Sequence, residues 1–246
     1  MTHWIQRSTG RAFLLVALFG VFAAAPLSGQ EEEGPAWSVG FAGELTSQFI
    51  WRGLELHDGP SFQPDVWLER GNVAIGIWSS WALDGEYHEV DTYISWYHEL
   101  PVGELTLLAT DYFYPKEDFG FFEFGGVKDG EPTGGHTVEL GAQFSPSALP
   151  LTFELGWNAY GDPDKALFGG VGTEFSIPML FDVGAEAGFL LNDSPWYYEA
   201  DAGQLLDYRV SVSRGLSLGN FEPYVSAAVV RSALMEKTYW VFAVGF

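Results

Sequence analysis

Residues able to do acid–base or nucleophilic chemistry are few in this sequence. It holds no cysteine and five histidines, His3, His57, His88, His98 and His136. Without cysteine there are no disulfides, no thiol catalysis, no cysteine metal sites and no lipidation of an amino-terminal Cys. A Ser/His/acid triad needs a positioned base. His3 falls in a segment that reads as a removable leader, His57 and His88 fall in loops, and His98 shares the apolar parity of Ile94 and Trp96. His136 opens a strand-like segment beside Glu139, with no serine in a recognisable motif nearby. No catalytic residue is assigned, and neither an enzyme activity nor a cofactor is expected. Asp84-Gly85-Glu86, Asp129-Gly130-Glu131 and Asp162-Pro163-Asp164 carry oxygens of the kind calcium takes. None has the ligand spacing of a dedicated calcium loop, so they read as solvated acidic turns and no metal is assigned.

The carboxylates point elsewhere. Thirty-three Asp and Glu stand against eleven Lys and Arg, a formal net charge of -22. Such a chain has no basic patch to neutralise phosphates, which excludes nucleic acid as a partner. It also carries 10 Trp, 11 Tyr and 20 Phe, many for a soluble protein this acidic. Apolar belts outside, with carboxylates in loops and lumen, reconcile the two.

The stretch Trp37 to Arg52, WSVGFAGELTSQFIWR, shows the element that must position them. Its odd positions are mostly apolar and aromatic, its even ones small, polar or charged. Side chains of a strand alternate between two faces, so this is a two-sided strand. A tilted strand crossing a bilayer needs about 9–11 residues with an apolar outer and a polar inner face. Eleven further segments repeat the pattern: 61–69, 72–81, 89–100, 104–114, 136–144, 151–160, 167–175, 181–190, 205–213, 221–230 and 239–246. Alternate connections are short (70–71, 101–103, 145–150, 176–180, 214–220), and the others are generally longer and more acidic. Short turns at one end and long loops at the other are the rule for membrane barrels, and an even strand number puts both termini in the periplasm. The expected fold is all-β: a transmembrane antiparallel up-and-down β-barrel of about twelve strands over 37–246. A secreted sandwich or lipocalin-like barrel would turn its apolar faces inward instead and would have to bury six tryptophans of those faces together.

Residues 1–30 read as a secretory signal, with Arg7 and Arg11 before an apolar run and small residues at 23–25 and 28–29. Cleavage is expected between about 24 and 30, leaving 31–36 as a short acidic leader. The implied location is the outer membrane of a Gram-negative cell. The outward alternation Trp240, Phe242, Val244, Phe246 resembles the carboxyl-terminal signal read by barrel-assembly machinery, making that machinery and the lipid bilayer the expected partners.

The segment Leu45 to Gly53, LTSQFIWRG, resembles the opening signature of a family of outer-membrane porins of the TorF or Gcw-chp type. The Asp58-Gly59 turn, Gln63, Asp65, Gly76 to Trp78, Tyr112-Phe113-Tyr114-Pro115, Val138-Glu139-Leu140 and the aromatic terminus are similar to later parts of its pattern. The long aromatic loop 115–135 departs from it. The resemblance implies a barrel and passive transport, and it carries over no catalytic residue.

On the polar parity, the expected lumen residues are Glu44, Gln48, Arg52, Asp65, Trp67, Trp78, Asp91, Tyr93, Tyr97, Tyr112, Glu139, Glu154, Asn158, Glu186, Asp207, Arg209 and Tyr224, with Tyr160 on the same surface. Carboxylates outnumber arginines there, so the interior is expected to be negative. Arg52 is expected to pair with Asp65, while Glu154 has no obvious partner. Asp111, on the apolar parity, fits only at headgroup level. The loop Pro115 to Gly135, with Phe119, Phe121, Phe122 and Phe124, is too apolar to be a solvated tip, so it should fold over the mouth or contact the outer leaflet or a partner. The expected function is a small diffusion channel for polar, cationic or neutral solutes. The alternative is a non-conducting structural or surface-binding barrel acting through its loops.

Overall fold

Alternating side chains force a choice of which face meets water. The computed structural model describes residues 36–115, 119–219 and 221–246; the expected signal and the leader up to Pro35 lie outside the described residues. Its strands are β1 (Ser38–Thr46), β2 (Phe49–Trp51), β3 (Leu54–His57), β4 (Ser61–Arg70), β5 (Val73–Ala82), β6 (His88–Leu100), β7 (Gly103–Phe113), β8 (Val127–Lys128) and β9 (Glu131–Pro132). They continue as β10 (His136–Pro146), β11 (Thr152–Tyr160), β12 (Leu167–Ile177), β13 (Phe181–Leu190), β14 (Leu205–Gly215), β15 (Tyr224–Ser232) and β16 (Thr238–Gly245). Twelve of them close into an antiparallel barrel in the order β1-β16-β15-β14-β13-β12-β11-β10-β7-β6-β5-β4. Among the described residues β2 pairs only with β3, and β8 only with β9.

The outer face decides between membrane and water. Phe41, Leu45, Val66, Ile75, Ile77, Ile94, Leu107, Leu140, Leu155, Val210, Phe242 and Val244, from nine of the twelve wall strands, are all exposed and face away from the lumen. A soluble barrel would bury these residues; a transmembrane one turns them to lipid. The fold is therefore a transmembrane β-barrel. No described helix is long and apolar enough to cross a membrane.

Two expectations need correction. The first segment is not one strand through to Arg52. β1 stops at Thr46, whose Oγ1 donates to the Gln48 carbonyl across a bend, and Phe49–His57 becomes a separate hairpin. Gln48 sits at that bend and donates to the Trp240 carbonyl on the neighbouring edge of β16. The second concerns Tyr160. Glu139 pairs with Asn158 but Val138 pairs with Tyr160, so Ala159 is an extra residue in β11. A bulge of this kind reverses the parity beyond it, and Tyr160 turns outward.

The closing seam is the thinnest pairing in the wall: β1 meets β16 at Glu44–Gly245, Leu45–Val244 and Thr46–Ala243, against nine pairs between β1 and β4. Phe246 extends it. Its N–H donates to the Gly43 carbonyl and its carbonyl accepts from Gly43 N–H, both at 3.0 Å. Its ring packs 5.7 Å from Phe41 and 6.0 Å from Phe221. Two backbone hydrogen bonds contribute about 1–3 kcal/mol together, so deleting Phe246 should lower the heat-modifiable folded fraction in outer-membrane preparations. An unchanged fraction would show that the seam closes without it.

Candidate functional site

The hairpin β2–β3 starts as a local turn. Trp51 and Leu54 are partners, and the two residues between them, Arg52 and Gly53, have φ of 46° and 82°. Two successive positive φ values make the tight turn that suits the right-handed twist of a hairpin. Gly53 is required twice over, because a Cβ there would lie 2.7 Å from the Leu206 carbonyl. Arg52 is the unusual occupant. A non-glycine residue costs about 1–2 kcal/mol in this conformation, so something must hold it.

What holds it lies across the lumen. Arg52 Nη1 and Nη2 donate to the two Glu139 oxygens at 2.5 and 3.0 Å, and Nη2 also reaches Glu154 Oε1 at 3.1 Å. The guanidinium carbon lies 3.9 Å from the Phe168 ring centroid and 4.6 Å from that of Trp51. Tyr112 donates its hydroxyl to Glu139 at 3.2 Å. Gly156, opposite, has no room for a Cβ, which would come within 2.6 Å of the Glu139 carboxyl. One cation thus meets two carboxylates, donated by β10 and β11, over an aromatic face on β12. The expected Arg52–Asp65 pair is not formed, and Glu154 does have a partner. Asp65 instead accepts from Tyr93 at 3.0 Å.

The rest of the hairpin fills the lumen at this level. Phe49, Ile50 and Trp51 are all buried. Phe49 packs on Trp78 and Tyr87, Ile50 on Val230 and Tyr239, and Trp51 on Tyr112, Tyr197 and Tyr198. Arg209 donates to the Ile50 carbonyl at 3.2 Å and pairs with Glu186 at 3.1 Å. These contacts touch opposite sides of the wall, so the hairpin is inside the barrel. Burying apolar side chains of this size contributes about 1.5–3 kcal/mol each, which exceeds the strain at Arg52.

A second loop closes over it. Asp164 Oδ2 accepts from Ser194 Oγ and from the N–H groups of Trp196 and Tyr197. Asp162 accepts from Asn158, Asp164 N–H and Ala166 N–H. The Asp162-Pro163-Asp164 turn is therefore not a solvated acidic turn; its oxygens serve as caps that fix loop 191–204, which carries Tyr197 and Tyr198. Burial pushes both phenols up, for Tyr198 against the lowering effect of Arg52, and they remain neutral. Sequence reasoning missed Tyr197 and Tyr198 and took Asp162 and Asp164 for a solvated turn, because the signal is a contact between two loops. Among the described residues no group of three or more His, Asp or Glu is arranged to hold a metal ion.

Below Arg52, toward the short-turn end, a cavity remains. Its lining includes Asp65, Glu69, Trp78, Tyr93, Tyr97, Tyr112, Glu139 and Glu154. The inner face of the barrel follows a repeated rule: a ring lies over a glycine of the neighbouring strand. A Cβ would meet the ring at 2.0 Å at Gly40 under Trp67, and at 2.3 Å both at Gly76 under Tyr93 and at Gly245 under Tyr224. The phenols then hold carboxylates: Tyr224 that of Glu44, and Tyr97 those of Glu99 and Glu104. Asp91 and Asp207 also lie on inner faces, both buried, while Trp240 and Phe242 point outward.

No family model matches the chain, and no curated protein matches it. Among solved structures it is similar to a KdgM porin, at 11% identity and a TM-score of 0.47 over 83% of this chain and 95% of that one. A KdgM porin in complex with disordered oligogalacturonate is similar at 10% identity and a TM-score of 0.45, over 86% and 98%.

Removing one partner from a buried ion pair costs about 3–5 kcal/mol. Arg52→Ala should destabilise the folded barrel by that order in denaturant titrations in lipid vesicles. Arg52→Lys should fall between, keeping the charge but losing the planar fork. Equal midpoints for all three proteins would mean that the network holds nothing.

Proposed function

We propose that the chain is a diffusion channel of a bacterial outer membrane, passing small polar solutes that are cationic or neutral, with the Phe49–His57 hairpin as its internal gate. The observation that carries this reading is a lumen obstructed by a hairpin whose turn is held by Arg52, with a carboxylate-lined cavity left beyond it. A barrel built only as a scaffold has no need of a carboxylate-lined cavity behind a tight turn. The short turns and both termini face the periplasm in this reading, and the long loops face outward. The chain would then be exported by its amino-terminal segment and inserted by barrel-assembly machinery. The likeness of Leu45 to Gly53 to the TorF or Gcw-chp signature acquires a physical meaning here, since Arg52 and Gly53 are the turn of the gate.

Selectivity follows from charge. Rings of Asp or Glu favour cations in a pore. Low-dielectric walls strengthen their field, and salt weakens it. Arg52 offsets one of the two charges of Glu139 and Glu154, so much of the field toward the short-turn end comes from groups such as Asp65, Glu99 and Glu104. Glu154→Gln should therefore weaken the gate more than it alters selectivity.

Replacing 49–57 by a short Gly/Ser linker should convert a mostly closed wild-type protein into one with long-lived openings in planar bilayers. Its reversal potential across a salt gradient should show cation preference, reduced by Asp65→Asn with Glu104→Gln. Anion preference, or no conductance after hairpin removal, would overturn the reading.

A further inference from the structure

Asp111, Phe113 and His136 stand on the outward parity of β7 and β10, the parity of the exposed Leu107 and Leu140. A carboxylate and an imidazole on a lipid-facing wall are costly unless shielded. The shield is the loop 119–135. The His136 ring lies between Phe113 and Phe124, with centroids 4.6 and 4.1 Å away and planes 25° and 19° from parallel, and Phe121 meets its edge. His136 Nε2–H donates to the Phe121 carbonyl at 2.8 Å, and Nδ1 faces both Asp111 oxygens at 3.0 Å. Tyr160, brought outward by its bulge, donates to the Gly125 carbonyl at 2.6 Å. Gly125 and Gly134 let the two legs of the loop cross: a Cβ on either would lie 2.3 Å from the backbone of the other leg. The loop is thus fastened to the outside of the barrel at its long-loop end, not over the mouth.

Fastened this way, it turns an apolar surface outward. Phe122 is 86% exposed, and Phe121, Phe124 and Val127 are exposed beside it. This surface continues directly from the lipid-facing wall, where Leu140 pairs with Trp157 just below His136 and Val138. We infer that loop 119–135 is a lateral membrane anchor, with Phe122 and its neighbours inserted among the acyl chains of the outer leaflet and His136 as the peg that holds the loop in place. The occupant is lipid because the patch is an extension of a face already in lipid, and aromatic side chains favour the membrane interface. The hairpin tip, Asp129-Gly130, carries charge and stays in water. This inference rests on the barrel spanning a bilayer.

The cysteine-free chain allows a direct test. Single variants Phe122→Cys, Asp129→Cys and Leu140→Cys, labelled with an environment-sensitive fluorophore, are refolded into phosphatidylcholine vesicles with or without brominated acyl chains. The label at 140 reports whether the wall faces lipid. The label at 122 should show the same blue shift and loss of emission to bromine, and resist aqueous iodide; the label at 129 should do the reverse. His136→Ala in the Phe122→Cys background should move its label to water while leaving the label at 140 unchanged. Quenching at 140 with a water-like label at 122 would overturn the anchor and leave the barrel standing. Water-like labels at both would overturn the membrane reading itself. Emission at 122 that depends on protein density rather than on bromine would assign the patch to a second copy and overturn the lipid reading.

Discussion

The ion network of Arg52 with Glu139 and Glu154 is the constraint on which the interior depends. A barrel wall needs only alternation and register. The hairpin is different, because its turn residue is strained and its backbone is anchored to the wall at few points. Holding the guanidinium between two buried carboxylates fixes the turn, which places Trp51 among Tyr112, Tyr197 and Tyr198 and Phe49 on Trp78. The two carboxylates need the cation as much as it needs them. Neither is tolerable alone in a water-poor interior, so the wall and the hairpin are each incomplete without the other.

The same wall keeps space open elsewhere. Glycines under Trp67, Tyr93 and Tyr224 let large rings lie against the sheet instead of standing across the lumen, and the phenols then fix Asp65 and Glu44. A standing ring at each position would fill a twelve-stranded barrel, whose width lies between the filled eight-stranded and the open sixteen-stranded cases. The interior is thus divided into a packed zone at the long-loop end and a carboxylate-rich cavity toward the short turns. That division is what makes a channel with a gate a better reading than a solid scaffold.

Much of the wall was legible in the sequence because lipid demands strict alternation, and the outward Ile75, Ile77, Leu155 and Phe242 obey it. The hairpin was not, since Phe49 and Trp51 continue the parity of Phe41 and Leu45. An aromatic turned to lipid and one turned into the lumen read alike; only the bend at Ser47–Gln48 separates them. Register between neighbouring strands suggested Asp65 for Arg52, whereas a chain crossing the lumen can choose a partner from any strand. Tyr160 was misplaced by a one-residue bulge, which leaves no mark on composition. His136 reads in the sequence only as a residue opening a strand beside Glu139; its role depends on loop 119–135 folding against the outer wall.

The placement of the hairpin can be measured directly by amide hydrogen exchange on the barrel in lipid vesicles. If Arg52 pins the segment inside, the amides of 49–54 exchange nearly as slowly as those of the neighbouring wall strands, and Arg52→Ala speeds them selectively while the wall stays protected. Wild-type amides of 49–54 exchanging as fast as an open loop would contradict an internal hairpin, whatever the conductance of the protein.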